Sequence, residues 1–364
     1  MATIPNNEEY TQTKLTTFFL HPERRKRHAE GCTEPVPVRP FTDSDSSSQI
    51  TASVVTTTTT LHEQPEPTLF PSKSMRKRAF DGLVTRATLA ETARETKTVL
   101  ASLLKTIPHA APDGYLYTSP EPPRLLQKYC PGYLPVEVKV LDADTLDTAI
   151  NVANCTQYVT VRDKRPVCVL NMANAHTAGG GWLNGALAQE EALCYRSSLS
   201  FTLKLRYYPL SDDQAIYSPT VVVIRDNLNK GHKLLDLTEP NELPIVSAIS
   251  VAAICRPPLE DSEHQPKYRD PRDRELMKDK MRITLRIAAY NGHRRLVLGA
   301  LGCGAFLNPR QEVADCWAEV LNENEFNGGW WESLIFAVMD DTIEGKNGDG
   351  NFGVFYRKLH GTMI

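Results

Sequence analysis

From about residue 136 onward, short unbroken apolar runs alternate with stretches whose apolar positions recur every three or four residues. The apolar runs "RPVCVLNMA", "PTVVVIRD", "LPIVSAIS", "RRLVLGALG" and "LIFAVMD", and the alternating "VEVKVL", predict strands. The periodic stretches "DADTLDTAINVA", "LAQEEALCYRSSLSFTL", "DRELMKDKMRITLRIAAYNG" and "NPRQEVADCWAEVLNE" predict helices. A strand that is apolar at every position is covered on both faces, so this alternation predicts an α/β fold with a largely parallel sheet between helices. In such sheets ligands collect where strands end and loops lead into helices. Two glycine-rich segments fall at such places, "NAHTAGGGW" after "CVLNMA" and "GCGAF" after "LVLGAL".

The first 74 residues lack this pattern. "EPVPVRPFTDSDSSSQ", the threonine run at 56–60 and "EQPEPTLFPSKS" are rich in proline, serine and threonine. They hold too few apolar residues to bury a core, which predicts a disordered arm. From Met75 to about residue 106, helix formers with recurring apolar positions and no proline predict a helix, followed by the Pro/Tyr-rich connector "HAAPDGYLYTSPEPPRLL".

Charge narrows the picture. Lys plus Arg number 41 against 44 Asp plus Glu, a net charge of -3, too even for overall charge to hold naked nucleic acid. The eight cysteines form no C-x-x-C pair, so neither a zinc site nor a disulfide framework is legible and a reducing intracellular setting is expected. Those within "VCVLNMA" and "SAISVAAIC" read as small buried hydrophobes. No apolar run is long enough to cross a membrane.

Bare amides in a strand-to-helix turn commonly serve phosphates. A P-loop is excluded, because no GKS or GKT occurs. "GCGAFLN" offers Gly302 and Gly304 for a dinucleotide fingerprint but has Leu307 in place of the third glycine. Gly179, Gly180 and Gly181 are more informative, because Gln189, Glu190 and Glu191 follow at the opening of a helical pattern. Acids in a first helical turn can simply complement the helix dipole. Asn174 and His176, just before the glycines, are polar where a buried strand ends, and suit either loop hydrogen bonds or a ligand. Neighbours on a helix point about 100° apart, so Glu190 and Glu191 cannot flank a bond as the paired carboxylates of ordinary glycosidases do. At most one acts at the bond while the other holds the substrate.

Three glycines, seven residues, then Q-E-E resembles the hallmark of the poly(ADP-ribose) glycohydrolases. "VLNMANAHTAGGGWLNGALAQEEALCYRSSL" is most similar to the microbial-type branch. The resemblance spans about residues 80 to 362 and implies a macrodomain-like mixed sheet sandwiched between helices. The division it implies is an arm at 1–74 and a catalytic domain at 75–362, itself a helical extension and connector (75–125) and a macrodomain (126–362). Carried onto this sequence, Glu191 is the general acid that protonates the 2′-oxygen leaving the ribose–ribose bond and then activates water. Glu190 binds ribose hydroxyls, and Gln189 shapes the turn. Gly179, Gly180 and Gly181 pass close to the distal ribose and diphosphate, and Asn174 contacts that ribose. The amides of Gly302, Cys303, Gly304, Ala305 and Phe306 cradle the diphosphate, with Phe306 near the scissile ribose. The first helix walls the adenosine end. No metal or cofactor is implied. Two alternatives share the glycine loops: a non-catalytic ADP-ribose reader, and a hydrolase of mono-ADP-ribose on protein or DNA. Intact Glu190 and Glu191 favour catalysis, since a reader needs no carboxylate at the bond.

The arm has a message of its own. "QTKLTTFF" sets Gln12, Leu15, Phe18 and Phe19 in the Q-x-x-L-x-x-F-F pattern, which resembles the peptide that docks on the sliding clamp PCNA. One 3-10 turn would gather Leu15, Phe18 and Phe19 into an apolar plug, with Gln12 bonding a separate pocket. Arg24, Arg25, Lys26 and Arg27 follow as a basic run of the nuclear-import type. Together they imply a nuclear protein at sites of replication or DNA repair, with the cytoplasm as a second location. Neither a membrane nor sequence-specific nucleic acid is expected as a partner.

Overall fold

The structure, a computed structural model, describes residues 84–110, 113–152, 165–262, 265–340, 342 and 344–364. The arm, its clamp-like motif, the basic run and the first part of the expected leading helix lie outside the described residues.

Seven strands form one sheet in the order β1-β4-β5-β3-β8-β9-β2. They are β1 (Tyr115–Thr118), β2 (Lys139–Leu141), β3 (Cys168–Met172), β4 (Gln214–Val222), β5 (Ile245–Val251), β8 (Arg295–Leu298) and β9 (Ser333–Ala337). From β5 to β2 every pairing is parallel, whereas β4 is antiparallel to β5 and to β1. The sheet is therefore mixed, as the macrodomain-like expectation required. A separate hairpin joins β6 (Leu259–Ser262) to β7 (Gln265–Tyr268).

Strand side chains alternate between two cores, the period-2 consequence of the pleat. Cys168, Leu170, Leu296, Leu298, Leu334 and Phe336 face a core built with α5 (Pro271–Tyr290), α6 (Arg310–Leu321) and α7 (Asn351–Leu359). Val167, Val169, Val297 and Ala337 face the opposite core, with α1 (Arg86–Leu103), α2 (Thr145–Val152), α3 (Gln189–Arg196) and α4 (Leu199–Thr202). Both faces are covered, so the central strands are mostly apolar, with a few buried polar side chains such as Asn171, Ser247 and Ser250.

Four expectations are corrected. The helix expected to run unbroken from residue 75 starts at Arg86. Thr85 is extended (φ -97, ψ 160) and caps it, with a reciprocal Thr85–Thr88 box satisfying two first-turn donors. The connector contains strand β1, whose tyrosines alternate along the sheet edge. The helix expected over 187–203 breaks at Ser197 (φ -148), where Ile224 N donates to Arg196 O and Ser198 N donates to Val222 O. There the chain leaves the helix to run beside β4. The strand expected at 219–226 begins earlier, at Gln214, and bulges between Ser218 and Val221 around Pro219, which has no N–H for the ladder. Among the described residues no helix is long and apolar enough to cross a membrane.

Candidate active site

Strand β3 ends at Met172, and the chain enters the Asn174–Gly181 loop before α3. Gln189, the first residue of α3, clips the helix to the strand end. Its Oε1 accepts from Met172 N at 2.9 Å, and its Nε2 donates to Leu170 O at 2.8 Å. This extends the hydrogen-bonding edge of β3 through a side chain and brings the first turn of α3 beneath the glycines.

Glu190 and Glu191 are both buried, at 3% and 8% exposure. Glu190 is held fast by the scaffold. Oε1 accepts from Asn171 Nδ2 at 3.3 Å, Oε2 accepts from Asn174 N at 2.8 Å, and the Gly179 amide also donates to this carboxyl. A carboxylate has about four acceptor sites, so one remains for a ribose hydroxyl. Burial pushes the Glu190 pKa up to about 8, against the pull of the Asn174 and Asn171 donors, and the neighbouring Glu191 charge adds to the rise. Glu191 is held by a single donor, Gly181 N to Oε1 at 2.9 Å. Its other oxygen has no partner among the described residues. Of the two, Glu191 is the one free to meet a reacting bond.

The glycines owe their presence to these carboxyls. Gly179 and Gly180 have left-handed backbones, φ 75 and φ 60. A Cβ on Gly180 would run into Glu191 Oε1 and lie 3.2 Å from Glu190 Oε2. Only a bare α-carbon lets the loop lie across both acids. Asn174 turns its side chain to its own loop, Oδ1 accepting from His176 N at 2.8 Å and Thr177 N at 2.9 Å. It shapes the loop, and only its Nδ2 is left for a ribose. His176 is exposed at the same turn.

The second loop leaves β8, the neighbour of β3 in the sheet. The Cys303 amide, expected to face a ligand, turns inward to Ala300 O at 3.1 Å, and its thiol is buried. Of the expected amides, those of Gly302, Gly304, Ala305 and Phe306 donate to no protein acceptor among the described residues. Around a Cβ placed on Gly304 there is nothing within 4 Å. Gly302 (φ 74) is confined instead, with Ala253 and Asn308 filling the space beside it. Consecutive free amides of this kind make a nest for an anion.

Sequence reasoning missed three residues. Tyr195 Oη donates to Trp182 O at 2.9 Å and Ala186 O at 2.7 Å, buckling the glycine loop from below. Tyr208 stands near Glu190 and Cys194, burial lifts its pKa above the usual phenol range, and its hydroxyl has no partner among the described residues. Arg196, fully buried behind the site, is clamped by Asp144 and Asp147. The i, i+3 pair of aspartates in "DADTLD" was the one available signal. The first turn of α1 meets the Gly185 turn, because a Cβ on Gly185 would collide with Arg86 O. Among the described residues no cluster of three or more His, Cys, Asp and Glu could hold a metal ion.

Residues 85–226 match the family model for the catalytic domain of microbial-type PARG. Over that segment the chain is similar to the catalytic domain of microbial-type PARG. Solved structures resemble it beyond that segment. The poly(ADP-ribose) glycohydrolase of Thermomonospora curvata is 25% identical with a TM-score of 0.58, over 75% of this chain and 99% of that one. The same enzyme bound to the inhibitor ADP-HPD is 26% identical, with a TM-score of 0.57 over 74% and 99%. The enzyme of Deinococcus radiodurans in complex with ADP-ribose is 27% identical, with a TM-score of 0.54 over 70% and 96%. A search of curated proteins finds no match. The matched segment of the PARG domain contains the glycine triplet and both glutamates, and stops before the "GCGAF" loop.

Proposed function

We propose that this chain is a poly(ADP-ribose) glycohydrolase that hydrolyses ribose–ribose O-glycosidic bonds and releases ADP-ribose. One observation carries the reading: the triglycine loop lies across two buried carboxyls and leaves one oxygen of Glu191 free. A reader of ADP-ribose has no use for that arrangement. The PARG domain match and the ADP-ribose-bound relative support the substrate class.

On this reading the diphosphate of the terminal unit rests on the Gly304–Phe306 amides, and the distal ribose lies between the two loops. Burial raises Glu190 to about 8, so its carboxyl holds a proton at neutral pH. Phosphate charge nearby favours retaining it. Glu191 donates a proton to the 2′-oxygen as the anomeric C–O bond breaks and oxocarbenium charge builds on the ribose. Water then attacks the anomeric carbon and returns its proton to Glu191. Glu190 fixes the sugar by a hydroxyl contact, Asn174 Nδ2 adds another, and Phe306 packs beside the ring. The catalytic unit runs from about residue 75 to 362, with the arm at 1–74 appended.

The test is incubation with poly(ADP-ribose) on an automodified polymerase, following free ADP-ribose against longer oligomers. Release of the monomer supports the reading, and binding without release favours the reader. The arm adds a second proposal, that Gln12, Leu15, Phe18 and Phe19 dock on PCNA and Arg24–Arg27 direct nuclear import, so the enzyme works at replication and repair sites. Replacing Phe18 and Phe19 by alanine should abolish clamp binding in calorimetry while leaving turnover in solution unchanged.

A further inference from the structure

Three non-glycine residues among those described have left-handed backbones: His232 (φ 49), Arg256 (φ 51) and Leu307 (φ 55). Such a conformation costs a residue bearing a Cβ roughly 1–2 kcal/mol. Two of the three meet at one point in the second glycine loop. Arg256 N donates to Phe306 O at 2.8 Å, and Leu307 is the next residue along.

The segment leaving β5 is laced to this loop at each step. Ala253 packs against Gly302, Ile254 O accepts from Asn308 Nδ2 at 2.7 Å, and Arg256 N closes on Phe306 O. Asn308 is itself fixed, accepting from Tyr268 Oη at 2.9 Å and donating to Gly302 O at 3.1 Å. Backbone bonds therefore set the shape of position 256, and that shape is one that glycine or asparagine adopts without strain. Arginine stands there instead. Arg256 is exposed, as are Gly304 and Ala305 in the loop its backbone bonds, and it forms no ion pair among the described residues. The arginines of the helical face, by contrast, are paired: Arg274 with Glu312 and Glu319, Arg282 with Glu323, and Arg286 with Glu325. Cys255, expected to be buried, is also exposed, because β5 has ended four residues earlier. Strain held at a ligand-facing loop is retained where the side chain serves the ligand.

We propose that Arg256 is the cationic anchor of the site, its guanidinium gripping the diphosphate that the Gly304–Phe306 amides cradle. The amides supply directed dipoles, and the arginine supplies the full charge and a planar fork that matches phosphate oxygens. The anchor fixes the diphosphate and hence the distance from the scissile ribose to Glu191. This makes Arg256 a positioning residue, and the inference rests on the glycohydrolase reading.

The experiment compares the full-length wild type with Arg256→Gly, Arg256→Asn and Arg256→Lys. It measures ADP-ribose binding by calorimetry, KM and kcat on poly(ADP-ribose) over a salt series, and thermal midpoints. Arg256→Gly should weaken ADP-ribose binding by about tenfold or more, the scale of a lost charge-assisted hydrogen bond. KM should rise similarly with a smaller change in kcat. The salt dependence of KM should flatten, because the interaction being screened is gone. The thermal midpoint should hold or increase, since glycine relieves the left-handed strain. Arg256→Asn should behave in the same way, and Arg256→Lys should recover part of the binding. A Gly or Asn variant that folds and keeps wild-type binding, KM and salt response would overturn the anchor while leaving the glycohydrolase standing. A folded wild type that neither binds nor releases ADP-ribose would overturn both.

Discussion

The two glycine loops lie side by side at the ends of β3 and β8, yet Gly180 and Gly304 use their missing side chains in opposite ways. In the Gly179–Gly181 loop the missing side chains make room for protein: Trp182 and Cys194 beside Gly179, Glu191 and Glu190 beside Gly180, Ala186 beside Gly181. In the Gly302–Phe306 loop, Gly302 makes room for Asn308 and Ala253, whereas Gly304 looks onto open space, and the amides that follow it donate to no protein acceptor among the described residues. On the proposed reading, the first loop covers the acids that do the chemistry and the second receives the ligand.

The sharpest way to break this division is Glu191→Gln. If the first loop does the chemistry, turnover should fall by about 10³-fold, within the range for loss of a general acid–base group. Calorimetric ADP-ribose binding, which on the proposed reading rests mainly on the second loop and on Glu190 and Asn174, should stay within a few-fold. A parallel loss of binding would mean that the loops do not divide the work.

Gly180→Ala tests the cover over the acids. The added methyl would meet Glu191 Oε1 in a backbone (φ 60) that alanine avoids. Thermal stability should fall, and turnover should drop by on the order of 100-fold as the carboxyl is displaced. An active Gly180→Ala enzyme would show that Glu191 does not need its bond to the loop.

Much of this architecture was legible in the sequence, for physical reasons. The doubly covered strands announced themselves because burial on both faces leaves few polar positions to interrupt the run. The glycine triplet and Q-E-E were legible because bare backbone next to charge is costly unless both are used. Local pattern failed where long-range pairing decides the outcome. Strand β1 is short, exposed and bounded by prolines, and exists because β4 offers it an edge. The break at Ser197 comes from backbone bonding to β4 far along the chain, with Ser198 N donating to Val222 O. Arg256 gave no signal, because nothing in "AAICRPP" shows that its backbone is held left-handed by Phe306.

Glu190 provides a pH test of the same division. Its folded-state pKa of about 8 lies above the ordinary 4.5, so the folded state holds the extra proton. That contribution to stability is fully present below about pH 4.5 and is lost as pH rises through about 8. The wild-type thermal midpoint should therefore fall relative to Glu190→Gln between pH 5 and 9, converging only at the acid end. Equal slopes would mean that the carboxyl is not held neutral by its burial. The Glu190 proton should be insensitive to changes in the second loop that leave the first intact.

The smallest expected effect separates the loops most cleanly. Gly304→Ala places a methyl in open space at a position whose backbone is not left-handed. Replacing glycine where alanine fits restricts the unfolded chain, so stability should rise by about 0.4–1 kcal/mol. The same methyl would stand where the diphosphate approaches the amides, and KM should rise a few-fold with kcat nearly unchanged. Alanine substitutions in the two loops should thus shift stability in opposite directions, downward at residue 180 and upward at 304. Equal losses of stability at both positions would mean that the second loop is as tightly filled as the first, leaving no seat for a ligand.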